Sequence, residues 1–269
     1  MLKRILKTAR PLASILAITM GAALIGGCPA PAETGTLQFH ANGEGFIRQG
    51  FVSRDGWALT FDHVYITLGN IVAYQASPPY DAEKGGPVQA EVRINLRGTH
   101  TVDLAEGGED APAILVGEAK DVPTGHYNAI SWKVIKAAEG PARGYSLVII
   151  GRAEKEGQTI SFTIRFEEER QYTGGEFIGE ERKGILHEGG TADLEMTFHF
   201  DHLFGDGELP PEDEMNIGAA GFEMFAALAE DGVVDIVVAD LGTEDYRKLK
   251  GIFDHLAHVG EGHVYAESL

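Results

Sequence analysis

The chain has 269 residues, with 22 basic against 41 acidic side chains, a formal charge of −19, one cysteine and 35 glycines. At 43% hydrophobic it can bury a core, which excludes general disorder, and its length suits one large domain or two small ones. The acidity argues for no nucleic acid partner, because phosphate binding needs clustered Lys and Arg; the lone cysteine excludes a disulfide scaffold, a Cys-rich zinc module and a Cys-ligated iron–sulfur cluster.

Residues 1–27 hold Lys3, Arg4, Lys7 and Arg10 and no acid, and the stretch 12–25 is apolar or small. A basic start, a short apolar run and small residues before Cys28 predict a secretory signal peptide, too short to be a membrane span. Ile25-Gly26-Gly27-Cys28 resembles the lipobox of bacterial lipoproteins. That resemblance implies that 1–27 is removed, that Cys28 is diacylated, and that the protein meets the membrane through its N-terminal lipid. Pro29 after the cysteine, where Asp would signal retention, implies the outer membrane facing the periplasm, so the expected location is the cell envelope. Residues 28–35 read as a Pro/Ala/Gly linker between lipid and body.

The stretch 36–205 reads as an antiparallel β-sandwich, and the chain as mainly β within the α+β class. Residues 57–68 are rich in aromatic and β-branched types, stop at Gly69-Asn70 and resume over 71–74. Further strands are expected at 92–96, 101–104, 127–135, 145–150, 159–166 and 194–200, with Gly, Pro, Asp or Asn between most of them and no helix signal. The last third changes character, and 206–269 is expected to be a helical element packed on or beside the sandwich. Residues 216–229 place Ile217, Ala220, Phe222, Phe225, Leu228 and Ala229 near helical spacing. Residues 233–238 are a short strand or extended link. Thr243 can cap a second helix with the stripe Leu249, Ile252, Phe253, Leu256 and Val259, stopped by Gly260.

Three runs, Val64-Tyr65-Ile66-Thr67-Leu68-Gly69-Asn70-Ile71, Thr101-Val102-Asp103-Leu104 and Val122-Pro123-Thr124-Gly125-His126-Tyr127, resemble a family of bacterial lipoproteins with a transthyretin-like sandwich domain of no assigned function. The resemblance covers roughly 36–150. It implies a sandwich and no chemistry.

Phe-Asp-His occurs three times, at Phe61-Asp62-His63, Phe200-Asp201-His202 and Phe253-Asp254-His255. Either three elements each bring an imidazole and a carboxylate to one site, as Zn, Cu or Ni favours, or Phe fills core while Asp-His pairs locally at exposed ends. The middle copy is the richest, because His199, Asp201, His202 and Asp206 fall within eight residues beside Gly205 and Gly207. On a strand, His199 and Asp201 share one face. His255 and His258 on the last helix either chelate as an i, i+3 pair or are solvated, and His63 either joins the site or sits at a core edge. The candidate metal ligands are therefore His199, Asp201, His202, Asp206, His255 and His63. There is no Gly-x-Ser-x-Gly elbow or Gly-rich phosphate loop, and with Cys28 lipidated there is no thiol nucleophile.

These residues lead to a non-enzymatic, lipid-anchored envelope protein that binds one divalent transition metal ion. The alternatives are a metal-free module that meets another envelope protein, and a metal-dependent hydrolase using Glu195 or Glu188 as base. Metal binding is expected to weaken below about pH 6, where imidazole takes up protons.

Overall fold

The β-branched and aromatic runs build one extensive sheet in the computed structural model, which describes residues 33–269. The expected signal peptide 1–27, Cys28 and most of the expected linker lie outside the described residues. Thr34 and Gly35, assigned to the linker, already belong to the first strand. In chain order the elements are β1 (Thr34–Asn42), α1 (Glu44–Gln49), β2 (Phe51–Val52), β3 (Ala58–Ala76), β4 (Ala90–Asp103), β5 (Ile114–Pro123), β6 (Gly125–His126) and β7 (Ala129–Val134). They continue with β8 (Leu147–Lys155), β9 (Gln158–Phe166), β10 (Arg170–Gly174), β11 (Ile185–Leu186), β12 (Thr191–Phe198), α2 (Asp201–Phe204), α3 (Glu214–Gly218) and α4 (Glu223–Ala226). Last come β13 (Val233–Val237), α5 (Thr243–Asp254), β14 (Ala257–Val259) and β15 (Gly262–Ser268).

The mainly-β class holds. The sheet runs β13-β9-β8-β3-β7-β10-β15-β14-β12-β1-β5, with β2 and β4 also on β3, and β6 pairs with β11 apart from it. Most neighbours are antiparallel, but β1 lies parallel to β12 and β13 parallel to β9, so the sheet is mixed. It curls on itself. A Cβ added to Gly117 of β5 would stand 2.9 Å from Leu96 of β4, so the far end of the strand path returns to the strand beside β3. The interior is filled by Phe39, Trp132, Phe162, Phe166, Tyr172 and Phe198, all buried. Each such side chain contributes roughly 1.5–3 kcal/mol on leaving water.

β3 is the longest strand, and it explains one misplaced histidine. Its inward residues are Trp57 (just before it) and Leu59, then Val64, Ile66 and Leu68, then Ile71 and Ala73. The inward parity thus switches from odd to even and back. The pairing with β8 slips between Phe61 and His63, and the pairing with β4 slips between Gly69 and Ile71, where Asn70 adopts φ 48°. Each extra residue swaps the faces that follow it. Asn70 is therefore a bulge inside one continuous strand, where the sequence suggested a stop. Strict alternation aims His63 inward, but the first bulge leaves it exposed.

The segment 206–269 is not a helical element beside the sandwich, since it supplies β13, β14 and β15 to the same sheet. The helix expected over 216–229 is two short turns, α3 and α4, interrupted by Gly221 at φ 78°. Phe222 packs between Trp57 and Phe162, with ring centroids at 5.3 and 5.1 Å. That stripe is core for a compact turn and needs no long helix. α5 forms where expected, but Gly242 and not Thr243 is its N-cap, with no side-chain cap, and it ends at Asp254; Leu256 and Val259, read as its last turns, sit in or beside β14. Gly260 does adopt φ 60°, but it turns the β14–β15 hairpin. α1, where no helix signal was read, follows β1 directly.

Candidate metal centre

Four pieces of chain meet at the C-terminal end of β12. β12 ends at Phe198, and the chain passes through His199 into the single turn of α2, which carries Asp201 and His202. Asp201 is thus on a helical turn and not on the strand face expected. The His199 amide donates to the Leu256 carbonyl at 2.9 Å, which ties this exit to the end of α5. β14 pairs with both β12 and β15, with His258 opposite Thr197 on one side and His263 on the other. Gly260 donates its amide to Thr197 Oγ1 at 3.1 Å. α1 brings in Glu44 from the end of β1.

The result is a cluster of imidazoles. The ring of His258 lies 4.3 Å from that of His199, 5.0 Å from that of His202 and 5.4 Å from that of His263, centroid to centroid. His199 and His258 are buried, His202 is half-buried, and His255 and His263 are exposed. One nitrogen or oxygen from each of His199, Asp201 and His202 lies within 4.8 Å of the others. Tetrahedral ligands on a 2.0–2.1 Å shell stand about 3.4 Å apart, so modest side-chain rotation closes this group on an ion. A second group, Glu44, His199 and Glu261, meets the same limit. The two share His199. The first has two imidazoles and so suits a borderline transition metal, while the carboxylate-rich second suits a harder cation.

The backbone orients the two buried histidines. His199 Nε2 lies 3.2 Å from the Gly260 carbonyl and His258 Nε2 lies 3.1 Å from the His255 carbonyl. A carbonyl only accepts, so each Nε2 carries a proton, and on His258, which burial keeps neutral at pH 7, Nδ1 presents a lone pair. His258 Nδ1 is buried with no hydrogen-bond partner. His199 Nδ1 faces Glu44 Oε2 at 3.6 Å, a contact that either a proton on Nδ1 or a cation between the two makes favourable. Glu44 itself is held at φ 62°, a left-handed backbone that a non-glycine residue adopts at a cost. Its amide donates a hydrogen bond across this bend to Asn42 Oδ1 at 2.9 Å.

Burial sets the charge state of the cluster. It pushes the pKa of His202 down to about 4 and that of His258 down to about 3, with the neighbouring histidines adding to the effect. Both are therefore neutral at pH 7 and able to donate to a metal. Burial raises the pKa of Glu44 and of Asp201, and His199 opposes it in each case. For His202 and His258, proton competition falls well below the pH 6 that an ordinary imidazole suggests.

Three expected ligands are placed otherwise. His63 Nδ1 lies 2.7 Å from Asp103 Oδ2 and its ring stacks on Tyr65 at 5.0 Å; the bulge described above directs it there. Asp206 caps the next turn, accepting the Glu208 amide at 2.8 Å while its own amide donates to Asn216 Oδ1, so it shapes the loop and stays out of the close group. Asp254 of the third triplet is taken by Arg170, and His255 lines a cavity with His202 and His263. Two of the three Phe-Asp-His copies therefore meet, through their histidines. His258, weighed only as a helical i, i+3 partner of His255, was left out of the ligand set, and His263 and Glu44 were missed as site residues. The first two lie outside any triplet, and only the hairpin around Gly260 turns them toward β12. Glu195, a base candidate, has its oxygens on Asn42 at 2.8 Å and Lys183 at 3.2 Å, and Glu188 is exposed in the turn before β12.

No protein-family model matches this chain, and neither a curated protein nor a solved structure matches it.

Proposed function

We propose that this chain is a lipid-anchored protein of the cell envelope, held at the outer membrane and facing the periplasm through Cys28, whose body binds one divalent transition metal ion without catalysis. Zn²⁺, Cu²⁺ and Ni²⁺ suit the donors. The ligands are His199, Asp201 and His202, with Glu44 compensating charge behind His199. The observation that carries the reading is the His199–Glu44 contact. With Nε2 directed at the Gly260 carbonyl, His199 Nδ1 faces a carboxylate oxygen at 3.6 Å, and the same ring lies in the close group with Asp201 and His202, which supports a cation in the cluster. The neutral His258 ring with its unpartnered Nδ1 adds a further acceptor beside it. The anchor rests on the sequence around Cys28.

The test is elemental analysis of the Cys28→Ser chain, purified without chelator or affinity histidines, followed by thermal melts with Zn²⁺, Cu²⁺ and Ni²⁺. Near-stoichiometric metal and a raised Tm, both lost in His199→Ala/His202→Ala, are expected. Metal-free protein with unmoved melts would leave a protonated His199–Glu44 pair as the cation, and the metal reading would fall. A metal-free envelope module would then be the better account.

A further inference from the structure

His258 is buried, and its Nδ1 has no hydrogen-bond partner among the described residues. A buried nitrogen in that state is an exception that calls for an ion or a water. Its Nε2 lies 3.1 Å from the His255 carbonyl, much as His199 Nε2 lies 3.2 Å from that of Gly260. A ligating histidine commonly gives its other N–H to a backbone carbonyl, which holds the ring and leaves the second nitrogen for the metal. Both rings carry this support.

The ring spacings are those of imidazoles that share one ion. With each nitrogen about 2.0–2.1 Å from a metal, a ring centroid stands about 3.2 Å from it, and two rings at the tetrahedral angle stand about 5.2 Å apart. The three centroid distances among His199, His202 and His258 are 4.3, 5.0 and 5.8 Å, on either side of that value. Charge points the same way. Asp201, with Glu44 behind His199, already balances a divalent ion, so a neutral donor suits the remaining position. His258 stands outside the close group of donor atoms, and a small turn of its ring completes the set.

We infer that His258 Nδ1 is the fourth ligand, so that His199, Asp201, His202 and His258 close a tetrahedral shell around one ion. The inference rests on the metal reading above and goes beyond it in two ways. The ion ties α2 to β14, and four protein ligands make a structural or storage site, with no position left for water or substrate.

Cys28 is the one cysteine of the chain, which allows a direct probe. The experiment uses the full chain with Cys28→Ser, titrated with Co²⁺, and places His258→Cys in that cysteine-free background. A thiolate, with a metal–sulfur bond of about 2.3 Å, replaces imidazole in many tetrahedral sites. The parent should show the intense visible absorption of four-coordinate cobalt, unchanged by azide. His258→Cys should keep four-coordinate bands and gain a thiolate-to-cobalt charge-transfer band in the near ultraviolet, which a residue merely packed against the site would not produce. His258→Ala should bind cobalt more than about a hundredfold more weakly, since even the outer partners of ligands are worth roughly 10–100-fold, and free imidazole should restore the parent spectrum. Metal-free melts show which variants are folded, and the azide titration of the parent needs no variant.

No cobalt binding by the parent would overturn the metal reading and this inference with it. Cobalt that is five- or six-coordinate in the parent, or that azide alters, would reveal an open position and overturn this inference alone. So would a folded His258→Cys without the charge-transfer band, or a folded His258→Ala that binds cobalt as the parent does; each would leave the three-ligand site standing.

Discussion

Acidifying the metal-free protein should destabilise it through His202 and His258. In the unfolded chain both titrate near 6.5, whereas in the fold their pKa values are about 4 and about 3. The unfolded state therefore binds more protons throughout the interval below 6.5, and stability falls as pH falls, by up to about 1.4 kcal/mol per pH unit per histidine. From pH 7 to pH 5 each residue loses roughly 2 kcal/mol, so the pair loses about 4 kcal/mol, a large share of a typical 5–15 kcal/mol. Glu44 and Asp201 act with the opposite sign, because carboxyls whose pKa is raised in the fold relieve a penalty as they protonate. Urea unfolding with a chelator present, at half-unit steps from pH 7.5 to 5, compared between the native chain and His202→Gln/His258→Gln, isolates the histidine share. The steep loss should be present in the native chain and largely absent from the double variant. A double variant whose stability follows pH with the same slope as the native chain would refute the reasoning from burial.

Three further outcomes follow from named atoms. Glu44→Gly should raise the stability of the metal-free fold by up to about 1 kcal/mol, because glycine adopts the left-handed backbone freely, and should weaken metal binding; melts and metal titration on one preparation read both. Gly260→Ala should destabilise the protein by more than about 2 kcal/mol, since its Cβ would stand 2.1 Å from the Ile178 carbonyl oxygen at φ 60°; metal binding should fall too, as the carbonyl that orients His199 moves. His63→Ala should leave metal binding unchanged and cost less than about 1 kcal/mol, as an exposed pair with Asp103 does; a loss of metal on this change would show that the first triplet does belong to the site.

The sequence by itself determined the class of fold, the positions of β3, β4, β7, β8, β9, β12 and β13, the start of the last helix and the richest part of the site, but not β1, β5, β10 or β15. The former are local properties. β-Branched and aromatic runs specify strands wherever they occur, and His199, Asp201 and His202 are close in space because they are close in sequence. The alternation along β3 was legible only up to its first bulge, since an inserted residue changes the face of His63 without changing composition. The fate of 255–263 was not legible at all. Its apolar residues fit a helical stripe and a buried strand equally well, and the edge of β12 supplied the partner that made part of it β14. That pairing places His258 against His199, turns Gly260 so that its carbonyl orients His199, and lets His263 and His255 share a cavity with His202. Glu44 reaches the same place because β1 lies parallel to β12. Pairings between segments so distant in the chain leave no periodic trace in sequence, so only the tertiary structure could decide which histidines share one environment.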